Sequence, residues 1–182
     1  MNFLALDIST KTGYAVFNEG QLVAYGVVEV GVAEFNVKDF PNKNPAYPYN
    51  LLAAARAMAA KVVELCETYQ PALVVIENTV LGRNRHTQRL LEFIHMAVLE
   101  ALRPFRVHYL DPGEWRKILE MRLTTLDKKN NRKVSEGKQR GRITRKHLSV
   151  RWVNSMFNLN LKLKDNDVAD AICLGKAYDS IK

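Results

Sequence analysis

Short apolar runs separated by polar turns divide the first thirty residues into three segments. Residues 3–6 are apolar and end at Asp7, a polar turn follows, and apolar residues resume at Tyr14 and again at Leu22. Glu19-Gly20, between the second and third segments, is typical of a hairpin turn. The pattern predicts three strands joined by hairpins, at residues 2–7, 13–18 and 22–30.

The rest of the chain alternates between helical and strand-like patterns. Residues 31–49 are rich in proline and predict a loop, after which Asn50 is expected to cap a helix. Apolar residues then recur every three or four positions in long stretches, and two short apolar runs are typical of buried strands. The predicted helices are 50–69, 85–103, 112–121, 142–157 and one that begins near residue 165, and the predicted strands are 72–77 and 106–110.

This order of elements predicts the fold class. A meander of three strands followed by alternating helices and strands implies an α/β protein with a five-stranded mixed sheet flanked by helices. It is the element order of an RNase H-like fold. The chain has 182 residues, which suits a single domain over residues 1–182 with a substantial core.

Charge is distributed unevenly along the sequence. Residues 116–151 hold 13 Lys or Arg and 3 Asp or Glu, a balance of +10, whereas the remainder carries −2. Residues 124–141 are polar, basic and without a period, so we predict a flexible basic loop or arm at about 122–141. A cationic segment on a nearly neutral chain favours a polyanionic partner, the alternative being a solvated loop that binds nothing.

Composition excludes some classes of protein. No apolar run is long enough to span a membrane, and residues 3–6 are too short for the core of a signal peptide. Cys66 and Cys173 have no metal-binding spacing. We therefore expect reduced, packed thiols in a cytoplasmic protein.

Acidic residues lie at the ends of two predicted strands and on one helix face. Asp7 ends the first strand, Glu77 ends the fourth, and Asp167 and Asp170 are three apart on the last helix. Each has an ordinary alternative: a strand-end acid can form a turn or face water, the helical pair can be a solvated face, and Asp165 is expected to be a helix cap. Together they predict a site where a divalent cation, Mg²⁺ or Mn²⁺, relieves the repulsion between carboxylates.

Three stretches resemble the motifs of a known family. They are LALDISTKTGYAVF at 4–17, LVVIENTVLGRN at 73–84 and DNDVADAICLGKAY at 165–178. They are similar to the three acidic motifs of the RuvC family of Holliday junction resolvases: an Asp on the first strand before a TGYG-like turn, a Glu ending the fourth strand, and an Asp-x-x-Asp-Ala helix. The resemblance covers nearly all of the chain.

The resemblance implies an endonuclease that cleaves four-way DNA junctions with two metal ions per active site. Asp7 would bridge both ions, and the other three acids, Glu77, Asp167 and Asp170, would complete their coordination. Lys117 and Lys146 lie near the positions where the family places basic catalytic residues. Their alternative roles are simple phosphate contact or solvent exposure.

The resemblance also implies the partners. Paired nicks require a homodimer with two sites, and the helices predicted at 50–69 and 85–103 are both candidates for its seam. His86 and its arginine neighbours either reach the junction or are simply exposed at a helix start. The residues expected to contact DNA are Val80, Arg83, Arg85, Lys128, Lys129, Arg132, Lys133, Lys138, Arg140, Arg142 and Arg145.

The sequence departs from the family pattern at three places. Ile8-Ser9 follows Asp7 where the family usually has Pro-Gly, so the side chains of Ser9 or Thr10 are expected to shape the turn. Val80 replaces an aromatic wedge, which predicts weaker junction distortion and cleavage of three-way junctions or forks as well. The basic stretch at 124–141 looks like an insertion relative to bacterial members and resembles the phage or plasmid-like branch.

Other functions fit the same pattern less well. A YqgF-like nuclease acting on structured RNA would have the same fold and acids, and a non-catalytic nucleic-acid-binding module would have the fold without a working site. An actin-like ATPase or sugar kinase would need two such domains and a glycine-rich adenosine loop, and this chain has only 9 glycines. No nucleotide cofactor is expected.

Overall fold

The computed structural model describes residues 1–30, 47–79, 84–138 and 140–182. The strands are β1 (Asn2–Asp7), β2 (Lys11–Asn18), β3 (Gln21–Glu29), β4 (Leu73–Glu77) and β5 (Arg106–Leu110). The helices are α1 (Tyr49–Tyr69), α2 (Arg85–Ala101), α3 (Pro112–Ile118), α4 (Thr125–Ser135), α5 (Arg145–Phe157) and α6 (Asn166–Asp179), with a 3₁₀ turn at Leu163–Asp165. The predicted loop at 31–49 lies almost wholly outside the described residues.

The five strands form one mixed sheet in the order β3-β2-β1-β4-β5. The meander β1-β2-β3 is antiparallel, whereas β1 pairs in parallel with β4, and β4 with β5. The prediction of an α/β protein with a five-stranded mixed sheet is confirmed. No helix in the described part of the chain is long and apolar enough to cross a membrane.

Alternating side chains of β1 pack into two separate hydrophobic cores, one on each face of the sheet. Phe3 and Ala5 pack on the face covered by α3, α5 and α6, whereas Leu4 and Leu6 pack on the face covered by α1 and α2. All four are fully buried, as their unbroken apolar run predicts for a strand covered on both faces. β1 is thus the central strand, and the residue at its end is held rigidly.

Two glycines let α6 lie unusually close to the sheet. A Cβ on Gly13 of β2 would overlap the backbone carbonyl of Asp167, and one on Gly175 of α6 would overlap the ring of Phe17. Both positions therefore require glycine for packing. The contact at Gly13 fixes the first turn of α6 against the end of the sheet where β1 and β4 stop.

The predicted flexible arm is wrong in its central part, which is the helix α4. Thr124 caps this helix: its hydroxyl accepts from the Asp127 amide at 3.1 Å, and the Asp127 carboxylate accepts from the Thr124 amide at 3.1 Å. Arg151 of α5 donates to the other Asp127 oxygen at 2.8 Å. Polar contacts of this kind hold α4 in place. The sequence therefore has no apolar stripe from which this helix could be predicted.

Of the two predicted helix caps, the one at Asn50 is wrong and the one at Asp165 has the predicted position. Asn50 lies inside α1, which begins at Tyr49, and its carboxamide oxygen accepts from the Leu51 amide at 2.9 Å. Asp165 is the N-cap residue of α6, as predicted, but its side chain makes no capping hydrogen bond there. Its carboxylate instead accepts from the Lys162 amide at 2.8 Å and closes the preceding 3₁₀ turn.

Candidate active site

The ends of β1 and β4 place two carboxylates side by side. Leu6 pairs with Ile76 in the parallel register, so Asp7 and Glu77 follow at the same level of the sheet. Both share the alternation of Phe3 and therefore lie on the face that α6 covers. Strand pairing alone thus brings together the two acids that were predicted at the ends of buried strands.

The first turns of α6 bring the other two acids to the same place. Asp7 pairs with Gly13 across β1 and β2, and the missing side chain of Gly13 admits the backbone of Asp167. Asp170 lies one helical turn later and is buried, at 9% exposure. All four predicted acids therefore lie at one edge of the sheet, around the end of β1.

Three of these acids have raised pKa values, chiefly because they are buried and in part because neighbouring carboxylates repel them. Burial raises the pKa of Asp7 well above its usual value, and the charges of Glu77, Asp170 and Asp167 raise it further. Burial raises the pKa of Glu77 to about 7, although Arg116 and Trp115 oppose the change. The pKa of Asp170 is also raised, mainly by burial. These three carboxyl groups are therefore harder to ionise in the folded protein than in water.

Two neighbouring residues of α3 contact the acids. The indole Nε1 of Trp115 donates to Glu77 Oε2 at 2.7 Å. The guanidinium of Arg116 lies 4.1 Å from the centre of the Trp115 ring, with Nη2 3.9 Å from Asp170 Oδ2. Arg116 Nη1 also donates to the Pro112 carbonyl at 2.8 Å. This cation lowers the pKa of each of the three shifted acids.

Asp167 is held by partners on the other side of the site. One of its oxygens accepts from the Asn166 side chain, and the other lies 3.6 Å from Lys11 Nζ. Lys146 of α5 donates to Asn166 Oδ1 at 3.3 Å and lowers the pKa of Asp170. As these side chains stand, no three His, Cys, Asp or Glu groups of the described residues converge closely enough to hold an ion.

The chemistry of the donors nevertheless fits a hard divalent cation. Four carboxylates supply the oxygen ligands that Mg²⁺ and Mn²⁺ prefer. Asp170 Oδ1 is buried and has no well-aligned hydrogen-bond partner among the described residues, although the nearby Ser149 hydroxyl lowers the pKa of this acid. An unsatisfied buried carboxylate oxygen is costly, and a cation would satisfy it.

The turn after β1 is built as its unusual sequence requires. The hydroxyl of Ser9 donates to the Lys11 carbonyl at 2.8 Å and accepts from the Lys11 amide at 3.1 Å. Thr12 accepts from the Ser9 amide at 3.0 Å and donates to the Ser9 carbonyl at 2.8 Å. Ser9 therefore acts as predicted, with Thr12 as its partner in place of Thr10.

Of the two predicted basic residues, Lys146 is linked to the acids through Asn166, and its charge lowers the pKa of Asp170. Lys117 is exposed on α3, while its neighbour Arg116 is the cation at the cluster. The helical pattern held a signal for Arg116: Pro112 and Trp115 are buried, and a residue four after Pro112 shares their face. Trp115 and Lys11 were also missed, because neither side chain type marks a site by itself.

The residues predicted to bind DNA fall into three groups. Several are exposed and spread over or beside α4: Lys128, Lys129, Arg132, Lys133, Lys138, Arg140 and Arg142. Glu136 pairs with two of them, at 3.1 Å to Arg132 and 2.8 Å to Lys138. Arg85 and Arg145 are exposed at the first positions of α2 and α5. Val80 and Arg83 lie outside the described residues, as does the side chain of His86.

Comparison with solved structures identifies the fold. No family model matches the sequence, and neither does any curated protein. RuvC of Thermus thermophilus in complex with a Holliday junction substrate has a TM-score of 0.67 at 16% identity, covering 99% of this chain and 93% of that one. A second structure of the same RuvC gives 0.64 at 16% identity, covering 99% and 94%.

A third similar structure comes from a eukaryote. The yeast mitochondrial Holliday junction resolvase Ydc2 has a TM-score of 0.55 at 12% identity, covering 98% of this chain and 77% of that one. The chain therefore has the fold of the RuvC-type resolvases, as its three acidic stretches predicted.

Proposed function

We propose that this protein is a divalent-metal-dependent endonuclease that resolves four-way DNA junctions and cuts other branched DNA. The observation that carries the proposal is the group of four acids at the end of β1: Asp7, Glu77, Asp167 and Asp170. The raised pKa values of Asp7, Glu77 and Asp170, together with the buried Asp170 Oδ1, support a site built for cations. The shared fold makes branched DNA the first substrate to test.

Each acid has a distinct part in this proposal. Asp7, on the central strand, would be shared by two ions, and Glu77, Asp167 and Asp170 would complete their coordination. Bound ions would supply activation of the attacking water and stabilisation of the leaving 3′ oxygen, so that the product carries a 5′ phosphate. Release of Asp167 from Lys11 would free its carboxylate for this task.

The cations beside the acids act on the phosphate. Arg116 is nearly buried and fixed by the Trp115 ring and the Pro112 carbonyl, so its charge is preorganised next to Asp170. A preorganised cation of this kind stabilises negative charge that develops on a phosphate during cleavage. Lys146 adds a second, more exposed charge through its contact with Asn166.

The basic helix α4 is proposed as a DNA contact that does not belong to the catalytic cluster. Its exposed lysines, Lys128, Lys129 and Lys133, face solvent without an acidic partner among the described residues. Asn131 fastens the helix: its carboxamide accepts from the Ile143 amide at 2.7 Å and donates to the Ile143 carbonyl at 2.8 Å. A fixed cationic helix can follow the phosphate backbone of one junction arm.

Paired nicks require two sites, and α2 is the better of the two candidate dimer seams. Most of the apolar residues of α1 are buried within the protein, among them Leu51, Met58 and Cys66. On α2, Met96 is 69% exposed and Leu99 is 39% exposed. We therefore assign the homodimer contact to α2, and we place the dimer in the cytosol, where the buried thiols Cys66 and Cys173 stay reduced.

Cleavage of a substrate panel tests the proposal. Four-way junctions, three-way junctions, forks, linear duplex and structured RNA are incubated with Mg²⁺, with Mn²⁺ or with a chelator. We expect metal-dependent cleavage of the branched DNAs, and its loss in Asp7→Asn and Asp170→Asn with junction binding retained. Cleavage of structured RNA alone would favour the RNA nuclease, and full activity of Asp7→Asn would exclude the proposed site.

A further inference from the structure

A small cleft lined by cations lies beside the acidic cluster. Its volume is about 260 Å³, and its lining residues are Gly113, Arg116, Lys117, Met121, Arg122 and Arg145. Four of these six residues carry a positive charge and none carries a negative one. Such a concentration of positive charge favours an anionic ligand.

The end of α3 builds one wall of this cleft. Glu120 adopts a left-handed conformation with φ of 53°, its amide donates to the Lys117 carbonyl at 3.1 Å, and the Met121 amide donates to the Arg116 carbonyl at 2.9 Å. These two bonds form a Schellman motif, which reverses the chain at the helix end. The reversal brings Arg122 back beside Arg116 and Lys117, so the cleft does not depend on a mobile loop.

Arg116 connects the cleft with the acidic cluster. Its side chain is 16% exposed, and it contacts both Asp170 and the cleft. Its Nε is buried and has no hydrogen-bond partner in the described part of the chain. The other three cations, Lys117, Arg122 and Arg145, are exposed and form no salt bridge with any described residue. Three of the four cations of the cleft are therefore left without an acidic partner among the described residues.

We propose that this cleft binds a backbone phosphate of the cleaved DNA strand, adjacent to the phosphate that reacts at the acids. The inference rests on the proposed nuclease function. Arginine side chains form paired hydrogen bonds to phosphate oxygens, and the cleft offers three of them together with a lysine. Because Arg116 serves both places, a strand held in the cleft also presents its neighbouring phosphate to Asp7 and Asp170.

The test couples a protein change to a DNA change. Binding of a four-way junction is measured by fluorescence anisotropy without divalent metal, for the native protein and for Arg122→Gln. The junction carries one uncharged methylphosphonate linkage, moved step by step along the strand around the cleavage site. We expect Arg122→Gln to lower affinity several-fold and to reduce the salt slope by about 0.9. At one linkage position its effect should disappear, because the contacted charge is already absent.

A matched variant and a second ligand make the outcome decisive. Arg106→Gln removes the same charge at the exposed start of β5, the end of the sheet opposite to Glu77, and should show no coupling at any position. An Arg122→Gln effect that is equal at every linkage would overturn the inference. A second result would also overturn it. If inorganic phosphate raises the melting temperature of the native protein but not of Arg122→Gln, and the Arg122→Gln effect on binding does not depend on the linkage position, the cleft binds a free anion.

Failure of the cleft is distinguishable from failure of the nuclease function. Cleavage of the unmodified junction with Mg²⁺ is followed in the same preparations. A protein that cuts the junction but shows no coupling has a nuclease site without this phosphate site. A protein that shows coupling but cuts nothing binds the strand in the cleft and lacks the proposed catalysis.

Discussion

The indole N–H of Trp115 donates to Glu77 at 2.7 Å and thereby ties α3 to the end of β4. The Trp115 ring is fully buried, and Arg116 lies over its face at 4.1 Å. One side chain thus orients a candidate metal ligand through its edge and a candidate catalytic cation through its face. A substitution that removes the N–H but keeps an aromatic ring should therefore change the pKa of Glu77 while the core stays filled.

Trp115→Phe should shift the pH dependence of cleavage. The indole hydrogen bond lowers the pKa of Glu77, which lies at about 7, so its removal raises that pKa further. More of the acid is then protonated below neutral pH, and the acidic limb of the rate profile moves to higher pH. Trp152→Phe, which changes the other tryptophan where it packs on Phe157, is the control. An equal loss of rate at every pH would contradict this role.

The metal-free protein should be stabilised by Glu77→Gln at neutral and higher pH. The pKa of Glu77 rises from 4.5 to about 7 on folding, so the folded state binds the proton more tightly. Between these values stability falls as pH rises, by about 3 kcal/mol for this shift. The variant lacks that loss, and its melting temperature should exceed that of the native protein above pH 7 and match it near pH 4.5.

The control for this measurement is Glu64→Gln, which removes an exposed acid of α1. This variant should show the same change in melting temperature between pH 4.5 and pH 7 as the native protein. Addition of Mg²⁺ should reduce the difference in melting temperature between the native protein and Glu77→Gln, because a cation offsets the repulsion between the carboxylates. Equal melting curves for all three proteins would show that Glu77 is not strained by its surroundings.

The sequence predicted the strands and the four acids because both follow from local patterns. β1 and β5 begin and end where the apolar runs do, at residues 2–7 and 106–110. Once β1 and β4 are parallel neighbours, Asp7 and Glu77 must meet, because strand ends of equal register share an edge. This part of the site needed no information beyond pairing and alternation.

The helix α4 and Arg116 could not be derived in the same way. α4 has only two apolar residues, Leu126 and Val134. It is held by Asp127, which contacts Arg151 of α5, and by Asn131, which contacts Ile143 just before α5. Such contacts depend on where another helix lies. Whether Arg116 or the next residue reaches the acids depends on the rotation of α3, which the buried Trp115 ring determines.

Arg116→Gln should slow the cleavage step, whereas Lys117→Gln should weaken only binding. Arg116 is nearly buried beside Asp170, while Lys117 is exposed. Loss of a preorganised charge donor typically costs about 10²-fold in rate. Single-turnover rates with excess enzyme separate the two effects, and Arg116→Lys should recover part of the loss. Equal rates for both glutamine variants would place neither residue at the reacting phosphate.

Two variants of α4 should distinguish the effect of its positive charge on DNA binding from the effect of the hydrogen bonds that hold the helix in place. Lys129→Gln with Lys133→Gln removes two exposed cations and should reduce the salt dependence of junction binding by about 0.9 per lost phosphate contact. Asn131→Ala leaves the charge intact but removes both hydrogen bonds to Ile143. It should increase amide exchange in α4 and lower affinity with an unchanged salt slope. A salt slope that stays constant in the lysine variant would exclude α4 from DNA binding.

Gly13→Ala should disturb the active site through packing alone. The new methyl group would overlap the carbonyl of Asp167, so the first turn of α6 must move away from β1. Overpacking of this kind costs about 1–3 kcal/mol, and urea denaturation should show it. Cleavage should fall further than stability explains, since Asp167 and Asp170 move with the helix.

Gly113→Ala is the matched comparison, because a Cβ there meets no atom within 4 Å. Gly113 is the second residue of α3, and the same substitution there should leave stability unchanged or raise it by at most about 0.5–1 kcal/mol. The contrast between two glycines tests the close approach of α6 to β2, which positions half of the proposed site. If Gly13→Ala is as stable and active as the native protein, α6 does not rest on Gly13, and the four acids are not assembled by this contact.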